Sequence, residues 1–303
     1  MDVQTISLNG EWQFKGYLGE DWLWNGAHLA ETRDVSGWST GRAPGSVQYD
    51  AWQAGMTPDP YTGMNSLAVE WIKDRTWVYR RTFTVDPAIQ GCRAALVFQG
   101  VDYSARYYLN GALLGRGTGM FLPATFEVGE KLIYTGQNLL AVVIDPAPVE
   151  QPQIGYTSQV TTQKSRMNYG WDFSPRMVHL GIWQDVALRV TGPARLADIF
   201  IRPVLAADYS SADAVVTVRL DKPEGVSARV ELDLRRQGDD EVLAQAAATI
   251  PAGQSEGQAV LHVAQPELWW PNGSGEQALY EVTARVLVNE ALADTRVETT
   301  GFR

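Results

Sequence analysis

Ala228-Arg229-Val230-Glu231-Leu232-Asp233-Leu234-Arg235 decides the fold. Its apolar residues fall on every second position and its charged residues on the positions between. That is the period of a strand with one face in a core and the other in water. Val216, Val218 and Leu220 repeat it upstream, and Tyr280, Val282, Ala284, Val286 and Val288 repeat it downstream against Glu281, Thr283 and Arg285. Nearer the start, Asn110-Gly111 separates Tyr107-Tyr108-Leu109 from Ala112-Leu113-Leu114. Both residues tolerate the positive φ of a type I′ turn, so a hairpin is expected there. Helical periodicity is nearly absent. One short helix is expected over Ser46 to Ala54, with Ser46 as its N-cap. The chain is expected to be all-β.

A length of 303 residues suggests two domains of ordinary size. The composition changes near Thr191-Gly192-Pro193, which places a boundary between 1–192 and 193–303. The second segment holds about seven short alternating strands, the pattern of an immunoglobulin-like β-sandwich without its inter-sheet disulfide. The first is richer in aromatic residues and glycine and has longer loops, as in a larger sandwich of jelly-roll type. Against 25 basic side chains stand 35 acidic ones, for a net charge of −10. This balance repels phosphate backbones and anionic membranes, so nucleic acid and membrane partners are not expected. No apolar run approaches the roughly 20 residues of a membrane span. The first ten residues lack a signal-peptide pattern, and Cys92 has no cysteine to pair with. A reducing, cytoplasmic setting is expected.

His28, His179 and His262 lie far apart with no ligand spacing, and Cys92 is isolated, so neither a metal site nor a cofactor is expected. Gly115-Arg116-Gly117-Thr118-Gly119 has phosphate-loop composition but opens no helix. Asn289-Glu290 lies between two alternating stretches and reads as a hairpin turn, with no reason for the raised pKa of an acid catalyst. The 11 Trp and 12 Tyr are many for this length. Such rings build cores, and they also form the surfaces on which pyranose rings stack.

Leu8-Asn9-Gly10-Glu11-Trp12, Ala43-Pro44-Gly45-Ser46-Val47, Asp59-Pro60-Tyr61 and Trp77-Val78-Tyr79-Arg80-Arg81-Thr82-Phe83 follow one another in order. Gly100-Val101-Asp102, Leu109-Asn110-Gly111 and Gly181-Ile182-Trp183 come next. Together they resemble the N-terminal sugar-binding domain of family 2 glycoside hydrolases, a jelly roll of galactose-binding-like type. Gly170-Trp171-Asp172-Phe173-Ser174-Pro175-Arg176 and Leu268-Trp269-Trp270-Pro271-Asn272-Gly273 resemble the β-mannosidase branch, and Gly301-Phe302-Arg303 resembles the family's join to its (β/α)8 barrel. The resemblance covers essentially the whole chain. It implies a retaining exo-β-glycosidase whose two catalytic glutamates lie in a barrel beyond Arg303, so these 303 residues alone are expected to be inactive and to hold no catalytic residue.

The resemblance also implies that Trp171 and Asp172 reach a terminal β-linked hexoside, with Phe173 standing where the family commonly has Trp and Ser174 where it commonly has Gly. A carboxylate accepts strong charge-assisted hydrogen bonds from sugar hydroxyls, and an indole beside it supplies a wall. The competing reading is a rigid loop with a buried Trp and an Asp bonded to backbone amides. Trp77 and Asp74 complete the candidate substrate-binding set, against core packing and a solvated turn respectively. Arg176 is expected either to meet an acidic group of the barrel or to lie on the surface. The partners implied are the carbohydrate and the barrel. A free-standing carbohydrate-binding module and a structural scaffold are the alternatives.

Overall fold

The computed structural model describes residues 3–151 and 157–303. They form two compact units, Thr5–Arg189 and Val190–Arg303, the latter grouped with the start of the chain. Strands of the first part are β1 (Gln4–Ser7), β2 (Gly10–Tyr17), β3 (Ser39–Ala43), β4 (Thr76–Phe83), β5 (Arg93–Phe98) and β6 (Val101–Asp102). They continue with β7 (Ser104–Leu109), β8 (Ala112–Thr118), β9 (Ala124–Glu127), β10 (Asn138–Ile144), β11 (Gly181–Ile182) and β12 (Val186–Thr191). A six-stranded sheet, β3-β2-β4-β10-β7-β8, faces a four-stranded one, β1-β12-β5-β9, and β11-β6 forms a small third ladder. This is the jelly-roll-type sandwich.

The rings explain why the two sheets close. Trp12 and Phe14 alternate with Glu11 and Gln13 along β2, and the apolar pair is buried while the polar pair is exposed. Phe14 stacks 5.6 Å from both Trp77 and Tyr79 on β4, and Phe98 of β5 meets Tyr107 of β7 at 4.6 Å between sheets. Gly115 lies in β8 because a Cβ there would come within 2.6 Å of the Phe126 ring. The phosphate-loop composition of that stretch is thus packing. All seven residues of β10 are buried, since the 18–38 segment covers its outer face with Trp22 and Trp38. The expected hairpin turn forms, with φ +52° at Asn110 and +79° at Gly111. So does the expected helix, α1 (Val47–Gln53), with Ser46 Oγ accepting from the Tyr49 amide.

Asp50, inside this helix, is buried, and its carboxylate accepts from the Tyr79 hydroxyl at 2.7 Å and the Arg42 amide at 3.2 Å. Burial outweighs these bonds and pushes its carboxyl up to about 6. The folded state therefore holds this proton more tightly than the unfolded chain, whose carboxyl titrates near ~3.9. Its contribution is fully present below about pH 4 and is lost as pH rises through about 6, a change of roughly 2–3 kcal/mol. Urea unfolding of Asp50→Asn and the parent should show the variant gaining relative stability between those pH values. A constant difference would rule this out.

The second unit consists of β13 (Arg195–Leu205), β14 (Ser211–Asp221), β15 (Ala228–Arg236), β16 (Val242–Ile250), β17 (Glu256–Ala264), β18 (Tyr280–Val288) and β19 (Ala291–Thr300). Sheets β13-β14-β17 and β16-β15-β18-β19 make an immunoglobulin-like sandwich. Register follows the alternation: Val230, Leu232 and Leu234 sit opposite Val286, Ala284 and Val282, and all six are buried. Asn289 and Glu290, with φ +51° and +61°, form the two-residue turn between β18 and β19. Phe302 packs edge-on against Tyr280 at 4.8 Å, tying the last residues into this core.

Candidate functional site

The Gly170–Arg176 segment is a bare-tipped hairpin on a clamped base. One 3-10 turn, Arg166–Tyr169, ends at Gly170, whose φ of +107° favours glycine. Trp171 and Ser174 then exchange backbone hydrogen bonds of 3.0 and 3.2 Å, leaving Asp172 and Phe173 at the tip. Below, the buried Tyr169 ring donates its hydroxyl to the Pro148 carbonyl. Arg176 Nε lies 3.1 Å from Glu70, and its Nη1 lies 2.6 Å from Glu150 and 3.1 Å from the Tyr169 carbonyl. Arg176 is thus partly exposed and already paired with two carboxylates of its own unit. It fastens the hairpin to its own unit.

The tip points to solvent. Trp171 is 37% and Phe173 72% exposed, and Asp172 is exposed too. Its carboxylate makes no hydrogen bond among the described residues. A self-satisfied turn would bury the indole and spend the carboxylate on backbone amides, and neither occurs here. Asp74 lies at the end of the 3-10 segment Asn65–Asp74, exposed and paired with its neighbour Lys73 at 2.7 Å. Trp77, expected as a sugar contact, is instead buried. It is 1% exposed, and its indole N–H donates to the Ile72 carbonyl at 2.9 Å. It lies against Gly16, where a Cβ would approach its ring to 2.9 Å. No face of it is open to a sugar, so it is a core residue.

Glu70, Phe121 and Lys164 carried no sequence signal. Glu70 comes from a segment that exposes Leu67 and Trp71, so the Glu70–Arg176 pair ties an apolar surface to the hairpin. A cavity of about 330 Å³ lies between Asn168, Phe121 and Trp183, with Asp102 and His179 in its wall. Phe121 meets Trp183 edge-on at 5.8 Å, and the indole N–H is spent on the Met120 carbonyl. Behind them Lys164 Nζ stands 2.6 Å from both oxygens of Asp102 and from the His179 carbonyl, fully buried. Burial, then the charge of Lys164, pushes the His179 imidazole down to about 4, so it is neutral near pH 7. Among the described residues no three His, Cys, Asp or Glu side chains gather as metal ligands, and no helix is long and apolar enough to cross a membrane. In the second unit Trp270 is half exposed, beside Tyr209 and Trp269 in an apolar hollow, and Arg303 lies over the Trp269 ring at 5.4 Å.

A jelly roll that presents such a hairpin, followed by an immunoglobulin-like sandwich, is the front-end architecture of a carbohydrate-active enzyme class, and the chain belongs to glycoside hydrolase family 2. Residues 12–184 match the family's galactose-binding-like domain, and residues 194–303 match the family 2 domain that follows it. The chain is 27% identical to β-mannosidase B of Thermothelomyces thermophilus over 312 aligned positions, covering 99% of this chain and 34% of that protein. It is 30% identical to β-mannosidase B of Aspergillus terreus over 271 positions, 84% of this chain and 31% of that protein. The crystal structure of β-D-mannosidase from Dictyoglomus thermophilum superposes with a TM-score of 0.82 at 25% identity, covering 99% of this chain and 36% of that one. The chain therefore spans about a third of the length of the relatives it matches.

Proposed function

We propose that the chain is the non-catalytic N-terminal region of a β-mannosidase-like, retaining exo-glycosidase, and that its hairpin forms one wall of the pocket for a terminal β-linked hexoside. The observation that supports this most is the unspent carboxylate of Asp172 between the exposed rings of Trp171 and Phe173. Sugar hydroxyls donate to a carboxylate, and the rings face the apolar edges of the pyranose. Catalysis in a retaining glycosidase needs two carboxyls about 5 Å apart. These would belong to a (β/α)8 barrel of roughly 250 residues. The exposed Leu67, Trp71 and Phe173 suit a surface against which such a barrel packs. A reducing compartment, the cytoplasm, suits the free Cys92.

The test separates this reading from a free-standing carbohydrate-binding module. The 303-residue chain should leave nitrophenyl β-mannoside intact. It should bind mannose with a Kd no better than millimolar, because one wall encloses little of the ligand and tight sites enclose most of it. Calorimetry showing micromolar affinity would favour the module, and turnover in a pure sample would refute the non-catalytic role.

A further inference from the structure

The six-stranded sheet carries a polar cavity that shares no residue with the hairpin. β2 and β4 are paired from Tyr17 opposite Thr76 to Gln13 opposite Arg80, and there the ladder between them stops. β2 stays paired with β3 as far as Gly10, and β4 with β10 as far as Phe83, so the two strands part within an otherwise intact sheet. Arg81 spans the parting, its Nη1 donating to the Asn9 carbonyl at 2.8 Å and the Glu11 carbonyl at 2.9 Å. A cavity of about 480 Å³ opens at this place, its polar lining made by Glu11, Gln13, Thr40, Arg80, Arg81 and Thr82. That is within the usual range of ligand sites.

Arg80 is the unusual member. It is 8% exposed, its Nη2 donates to the Leu29 carbonyl at 3.0 Å, and its guanidinium lies 5.0 Å from the Trp38 ring centre. Its Nε is buried without a partner, and no carboxylate pairs with it among the described residues. A buried guanidinium with no counter-charge is expensive, and holding one carbonyl uses one of its five donors. A neutral donor would hold Leu29 without that cost. The charge is accounted for if the cavity receives an acceptor that matches the fork, and a carboxylate is the group that does so. Gln13, Thr40 and Thr82 add donors and acceptors suited to ring hydroxyls. Glu11 disfavours a bare anion and accepts from hydroxyls.

We infer that this cavity binds a carboxylate-bearing pyranose, a uronic acid residue, with its carboxylate toward Arg80 and its hydroxyls on Gln13, Thr40, Thr82 and Glu11. The 303-residue chain would be titrated with methyl β-glucuronide, methyl β-glucoside and sodium sulfate by two-dimensional NMR. The glucuronide should bind saturably and about tenfold or more tighter than the other two. Arg80→Lys, which keeps the charge and loses the fork, should weaken it about tenfold. Gln13→Ala and Thr82→Val alter exposed side chains, so they should each weaken binding about threefold with Tm unchanged, even if Arg80→Lys disturbs the fold. Absence of saturable glucuronide binding overturns the inference. So does equal affinity for the glucoside, which leaves Arg80 without its role, or for sulfate, which makes the cavity a simple anion site.

Discussion

Replacing Lys164 by Met is expected to lower the stability of the jelly-roll unit by about 3–5 kcal/mol at pH 7. Its Nζ donates to both Asp102 oxygens and to the His179 carbonyl, and neither charged side chain of the pair is more than 4% exposed. Burial pushes the Asp102 carboxyl up and the Lys164 ammonium down, and their mutual attraction works against both shifts. Removing one partner leaves the other charge buried with nothing to offset its lost hydration. The loss should be pH-dependent with a defined sign. Without Lys164 the raised Asp102 carboxyl is protonated in the folded variant at higher pH than in the unfolded chain. The variant therefore recovers stability below about pH 4 and loses it as pH rises. The double variant Lys164→Met with Asp102→Leu should regain more than half of the loss, because two apolar groups leave no orphan charge. Chemical unfolding of the three proteins at pH 4 and pH 7 reads all of this. A single variant as stable as the parent at pH 7 would show that the pair contributes nothing.

How much of this was legible in the sequence depends on how local the cause is. The alternation around Val230 and Leu232 specified both the strand and its buried face, since a strand exposes every second residue whatever lies beside it. Ser46 and Asn110-Gly111 act within a few residues, and the helix start and the turn appear where those residues predict. The burial of Trp77 is not legible locally because it is set by Gly16, 61 positions earlier and opposite it in the ladder, where the missing side chain makes room for the indole. Lys164 lies in the polar run Thr161-Thr162-Gln163-Lys164-Ser165, which reads as solvated loop, and only the fold brings it beneath His179. The partners of Arg176, Glu70 and Glu150, are 106 and 26 residues away, and no local pattern announces them. The Trp171-Asp172-Phe173 tip was the reverse case. Its residue types alone favour a sealed loop, the motif they sit in points to a sugar contact, and the exposure of all three is what the structure adds.

On the proposed function, in a polypeptide that joins this chain to a catalytic barrel, Asp172→Ala is expected to lower kcat/KM on a β-mannoside by on the order of 10², with the fold intact. The clamp made by Tyr169 and Arg176 holds the hairpin from below, so truncating the tip side chain removes no contact on which the loop depends. A carboxylate that accepts hydroxyl protons from the terminal sugar gains strength as the ring flattens and positive charge develops. Loss of one such charge-assisted bond costs about 1.5–3 kcal/mol, and each 1.36 kcal/mol is about tenfold in rate. Because the bond strengthens along the reaction, the loss should fall on kcat as well as on KM. Asp172→Asn keeps the shape and an acceptor oxygen while losing the charge, and should fall between the parent and the alanine variant. An Asp that served only the loop would give the opposite pattern, a lowered Tm with full activity in the folded fraction. Measuring Tm and kcat/KM on the same two variants decides the matter, and an alanine variant that is fully active would remove Asp172 from the site.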